Sequence, residues 1–197
     1  MNNYEYIIAC LPALTSDWRG ELDSDGIYSE IRELLSESDK RAFDFVADGF
    51  DADKLDADFY RKALKSKSRF TAGYFAYDLA VRNCRVEYLN KALGRAQGQD
   101  ILILNEEDDS LDFEGRDEVM AVLEGKDILE RERGLDDLMW AKIDELTEME
   151  VFSLDAILAF ECKLHIVARW LKLDPESGRK LFRELVEELE SSSKKDN

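Results

Sequence analysis

Glu161, His165 and Arg169 stand four residues apart, with Lys172 close to the same line, so a helix here aligns a carboxylate, an imidazole and a guanidinium. Such a stripe could serve as an acid/base pair or as half of a metal site. Carboxylate metal sites in helical bundles need a Glu-x-x-His pair and further ligands from facing helices, whereas His165 is the single histidine in the chain. The stripe therefore reads as polar residues on a buried helix, satisfied by local ion pairing and by neighbours. Cys162 lies near His165, but one turn of a buried helix directs both into packing.

Other chemistry is as poorly supplied. The sequence has no Gly-x-Ser-x-Gly elbow, no phosphate-binding glycine loop and no Cys-x-x-Cys pair. Asp23, Asp25 and Gly26 stand in a register like that of a calcium-binding EF-hand loop, yet counting from Glu21 puts Arg32 where the bidentate carboxylate must be. Asp51, Asp53, Asp56 and Asp58 lack the central glycine and read as a loop and a helix start. The expectation is no catalytic residue, no cofactor-binding residue and no metal ligand: not an enzyme.

The elements that would carry these residues are helices. The 197 residues are 45% hydrophobic and 10% aromatic, which suits a folded core, and 37% charged with only two prolines and ten glycines. Many helix formers and few breakers predict long helices with short connections. A formal net charge of −18, from 45 acidic against 27 basic residues, repels phosphate, so nucleic acid and anionic membranes are poor partners. It would steer the protein toward a basic surface instead.

Tyr4 to Leu14 is apolar and could be a short helix or a strand. Within it Tyr6 to Leu14 has an acidic flank without Lys or Arg, Met1 to Glu5, is broken by Pro12 and is followed by no small-residue cleavage site, so it reads as core, not a signal. Cys10, Cys84 and Cys162 read as buried reduced thiols of a cytosolic protein. Thr15 to Gly26 reads as a loop, followed by helical spacing at Ile27, Ile31, Leu34 and Leu35, and by a one-sided helix through Phe43, Val46, Ala47 and Phe50 that ends near Gly49.

Asp58 to Ala96 carries two apolar lines: Phe75, Leu79, Val86, Leu89 and Leu93, and Phe70, Tyr74, Tyr77, Val81, Cys84 and Tyr88. They predict a helix packed on two sides, with Arg82, Asn83, Arg85 and Glu87 left outside and a break at 65–69. The aromatic residues Phe70, Tyr74, Phe75, Tyr77 and Tyr88 are expected in the core. From Gln97 to Gly115 the periodicity fails: Ile101 to Leu104 suits a short strand and Asn105 to Asp112 an acidic loop.

Helical spacing resumes at Val119, Met120, Val122 and Leu123, then from Asp127 through Leu135, Leu138, Met139, Ile143, Leu146 and Met149. Ser153 suits an N-cap for Leu154 to Leu173, too interrupted by charge to span a bilayer. A last helix is expected over 176–189 and a disordered tail over 192–197. The fold expected is an all-α antiparallel bundle of long helices. It forms one domain over 1–191, divisible into lobes 1–96 and 116–191 at the acidic loop 97–115.

Two regions stand out together: the tyrosine-rich opening Tyr4-Glu5-Tyr6-Ile7-Ile8-Ala9-Cys10-Leu11-Pro12-Ala13-Leu14, and the series Arg131-Glu132-Arg133, Leu138-Met139-Trp140, Val151 to Phe160 and Arg169-Trp170-Leu171. In order and spacing they resemble a bacterial family encoded within V-type (A-type-like) ATPase operons, notably in Bacteroidetes. The helix Ile157 to Arg169 also resembles one in the collar protein of V-type ATPases, an all-helical funnel without chemistry of its own. That second similarity implies a bundle related to the collar fold.

The resemblance implies a non-catalytic subunit or accessory factor that couples the central rotor shaft to the membrane ring. Its partners would be the shaft and the ring, and its location cytoplasmic, peripheral on the inner face of the cell membrane through the complex. The competing expectations are a free-standing cytosolic helical adaptor and an enzyme using its many carboxylates.

Overall fold

The computed structural model describes residues 3–104 and 112–173, and all regular structure among them is helical. In chain order the helices are α1 (Tyr4–Cys10), α2 (Ser24–Leu34), α3 (Glu37–Asp48), α4 (Ala57–Leu64), α5 (Arg69–Leu93), α6 (Arg116–Leu123), α7 (Ile128–Thr147) and α8 (Leu154–Lys172).

Side chains that accept a bond from a backbone amide set the helix starts. Asp23, Ser36, Asp56, Ser68, Asp127 and Ser153 each receive the N–H three residues on, satisfying a donor that the helix cannot. The start of α5 has a second acceptor from far along the chain: Asp155, in the first turn of α8, accepts from the Ser68 hydroxyl at 2.8 Å and the Phe70 amide at 3.1 Å. One carboxylate thereby faces the positive ends of two helices and ties them together.

Helix α8 is the axis of the packing. It touches α1, α2, α3, α5 and α7, and its buried residues Ile157, Leu158, Ala159, Cys162, Leu164, Ile166 and Val167 point to every side. A helix apolar all round can only be an interior one. Around it α5 and α7 lie against each other, α6 packs on both, and α4 packs on α5. Phe59 meets Phe75 edge to face at 4.9 Å and Phe45 face to face at 4.7 Å, joining α3, α4 and α5 through rings. Buried residues on both sides of the 97–115 connection, from Ile7 to Ile166, form one continuous core.

The first segment proves to be helix α1, and the expected loop 15–26 is shortened because Asp23 starts α2 within it. Residues 101–104 are not a strand: Asn83 binds Leu102 through both its amide atoms, at 3.0 and 3.1 Å, and holds the segment against α5. For that task Asn83 is buried, not left outside. The ends of two apolar lines turn out to solvent: Leu89 and Leu93 are exposed, and Met149 lies past the end of α7. Cys10 is exposed, whereas Cys84 and Cys162 are buried. The expected helix 176–189, the tail 192–197 and most of the acidic run 105–112 lie outside the described residues.

Gly49 follows α3 with an ordinary φ of −67°, so the turn itself does not require glycine. Space does: a Cβ there would sit 2.4 Å from the Phe75 ring and 3.0 Å from the Phe59 ring. Both rings are buried, so neither can swing away. Gly49→Ala should cost about 1–3 kcal/mol, the scale of an overpacked core, read as a lower urea midpoint with unchanged helix content. An unchanged midpoint would mean that the α3–α5 contact is looser than described.

Candidate functional site

Three helices each offer two ionisable residues four apart: Asp78 and Arg82 on α5, Glu132 and Asp136 on α7, His165 and Arg169 on α8. Helical spacing puts each pair on one face, and the three faces converge. Together with Arg85, Phe50, Tyr74 and Met139 they line a cavity of about 120 Å³.

Within it three carboxylates meet three guanidiniums. Asp78 accepts from Arg82 at 2.7 Å and from the Tyr60 hydroxyl at 2.5 Å. Glu132 pairs with Arg85 at 2.7 Å and lies 3.9 Å from Arg169. Asp136 accepts from Arg169 and, at 2.6 Å, from the Trp170 indole, whose ring carries the Arg133 guanidinium at 4.6 Å. Burial pushes the Asp136 carboxyl up, against the opposing pull of Arg169. The charges therefore bind one another, Asp78 and Arg82 along α5 and the other pairs across helices, so an incoming ion would have to displace a partner already in place. Half-exposed pairs of this kind contribute only about 0–1 kcal/mol each, and their larger effect is to fix how α5, α7 and α8 face each other.

His165 forms the wall between this cavity and a second one. Its ring stacks on Phe50 with centroids 4.2 Å apart and planes 7° from parallel. On its other side, Ser24, Asp25, Tyr28, Glu161 and Lys172 line a space of about 90 Å³. Glu161 is fully buried there, and its Oε1 is 2.9 Å from His165 Nε2. That is contact without alignment, since neither carboxylate oxygen nor Nε2 completes a hydrogen bond among the described residues.

Burial raises the Glu161 carboxyl above its ordinary value, His165 opposes the rise, and Asp44 adds to it. Asp44 itself is held low by the fork of Arg32, at 2.7 and 3.0 Å, and by the Tyr28 hydroxyl at 2.7 Å.

The expected stripe Glu161, His165, Arg169 and Lys172 is thus divided. Glu161 meets His165, while Arg169 turns to α7 and Asp136. No group of three or more His, Cys, Asp or Glu side chains suited to a metal occurs among the described residues. Asp23 and Asp56 cap helices, and Asp51 receives the Asp53 amide. The aromatic residues Phe70, Tyr74 and Phe75 are buried in the core, with Tyr77 and Tyr88 packed on it. The convergence on the cleft was not read from sequence, although the recurrent four-residue spacing on three separate helices carries a trace of it.

Residues 50–193 match a family model described as "Protein of unknown function (DUF2764)". The chain belongs to the DUF2764 family. No curated protein and no solved structure matches it. The DUF2764 match begins at Phe50, the ring stacked on His165, and includes every residue of the charged cleft. Helices α1 to α3, with the Tyr28, Arg32 and Asp44 cluster, precede it.

Because the folded state raises the Glu161 carboxyl, it keeps a proton that the unfolded chain has already lost above the ordinary value of 4.5. Stability from this group is therefore lost as pH rises through that window, and the loss is complete above the raised value. Glu161→Gln should remove this component: urea midpoints of the two proteins should diverge with rising pH, the variant being the more stable at neutrality. Convergence with rising pH, or a variant weaker at neutrality, would show that the Glu161 charge is held favourably by His165.

Proposed function

We propose that the protein is a non-catalytic subunit or accessory factor of a V-type (A-type-like) ATPase, acting between the central rotor shaft and the membrane ring. The reading rests first on the resemblance of Tyr4–Leu14 and of Arg131–Leu171 to a family encoded with such ATPases. One structural observation gives it weight: the segments of that resemblance, remote in sequence, are neighbours in space. Ile8 and Leu11 share a groove with Ala156, Ala159 and Phe160. Arg133 lies on Trp170, and Glu132 and Asp136 face Arg169.

A collar works by shape and stiffness. Helices of 25, 20 and 19 residues supply length. Interhelical ties brace them against sliding: Arg85 to Glu132, Arg169 to Asp136, and Lys163 to Asp144, with the Lys163 ammonium also 4.9 Å from the Trp140 ring. A close-packed core passes on a load without absorbing it. No helix among the described residues is long and apolar enough to cross a membrane, so contact with the ring would be made through protein surface.

Affinity purification of the tagged full chain from native membranes, followed by mass spectrometry, tests the proposal. Co-purification of shaft, ring and catalytic-head proteins in constant ratio is the expected result. Recovery of a soluble partner with none of these would replace the collar by a free-standing adaptor.

A further inference from the structure

Arg85 of α5, Glu132 of α7 and Arg169 of α8 form one layer of the bundle, with Glu132 2.7 Å from Arg85 and 3.9 Å from Arg169. Helix α7 runs against both neighbours: Lys163 meets Asp144 where Arg169 meets Asp136, and Tyr88 meets Arg131 where Arg85 meets Glu132. One turn further toward the same end of the three helices therefore stand Leu89, Ile128 and Leu173. All three are open to solvent, at 51%, 70% and 56% exposure. Leu93 and Leu129, on the same helices, are exposed as well. Single exposed leucines are ordinary, but apolar residues at one level of three mutually packed helices make a contiguous surface.

The chain itself arrives at this surface. Helix α8 ends at Lys172, and Leu173 leaves the helical conformation with a ψ of 88°. Pro175 has no amide hydrogen to continue α8 and disfavours a helical residue before it. Residues 176–189 then carry Leu181, Phe182, Leu185, Val186 and Leu189 on one face at helical spacing, and only seven residues separate Leu173 from Leu181. A helix of that length is marginal alone in water and forms where its apolar face finds cover. So short a tether holds it at an effective concentration on the order of millimolar, which favours a seat on its own chain over one on another molecule. Charges are mixed on both sides, with Lys91, Lys126 and Glu130 beside the layer and Arg179, Arg183, Glu184 and Glu187 on the segment, so no field of one sign opposes the fit. The DUF2764 match, residues 50–193, contains both the seat and the segment.

We propose that residues 176–189 fold back as an amphipathic helix on this end of the bundle, laying Leu181, Phe182 and Leu185 on the layer of Leu89, Ile128 and Leu173. The segment then closes the outer end of the charged cleft, beside the half-exposed Arg85 and Arg169. Nothing in this seat depends on the ATPase reading, and it adds a contact within the chain that the reading does not supply.

The test replaces Ile128 by photoreactive benzoylphenylalanine in the purified full chain and maps the cross-linked peptide by mass spectrometry. Ile128 is exposed, so the substitution leaves the core untouched. The expected product joins position 128 to residues 181–189 of the same chain, with a yield independent of protein concentration. Leu185→Asp with Val186→Asp should lower that yield by about tenfold, and so should Leu89→Asp on the exposed seat, whereas Glu187→Gln, off the apolar face, should not. A product with a second copy or with another stretch of the chain would overturn the proposal. So would a yield no higher than from the same probe at Met149, at the opposite end of α7, or a yield indifferent to the aspartate substitutions, which would mean tethering without docking.

Discussion

Burying one helix on every side constrains the rest of this molecule. Helix α8 presents apolar residues round its whole circumference, so it cannot be stable until α1, α2, α3, α5 and α7 have all arrived. Three of these neighbours, α1, α2 and α3, end more than a hundred residues before α8 begins, and α1 with its seven residues has little helical stability of its own. Ile7, the buried residue of α1, is in the same core as Ile157 and Leu158. Short helices here are consequences of docking on α8, and the Asp155 contact to the start of α5 sets one end of that docking.

A helix so enclosed leaves little room for polar residues, which gives Glu161 its meaning. The chain tolerates a buried carboxylate by raising its affinity for a proton and by placing His165 beside it. One turn on, Arg169 reaches the cleft and is absorbed by Asp136 and Glu132. The side chains of Glu161, His165 and Arg169 are thus engaged with one another and with α7.

The all-helical class was legible in the sequence because it depends on periodicity and capping, both local. Ser36, Ser68, Asp127 and Ser153 stand where hydrophobic spacing restarts, and helices begin there. Long-range facts were not legible. Asn83 looked like a solvent residue because its partner, the backbone of Leu102, lies across a loop. Leu89, Leu93 and Met149 continued apolar lines, but the neighbours those lines would need end before them. The charged cleft was hidden for the same reason: each helix holds only a few of its members, and only packing brings three helices together.

The central claim is that α8 is released only when the whole molecule unfolds, and native-state amide hydrogen exchange measures this directly. If α8 is the axis, the amides of Ile157 to Val167 should be the slowest in the chain, with opening free energies equal to that of global unfolding. Exchange of these amides through a smaller opening, while those of α5 and α7 stay protected, would contradict the account.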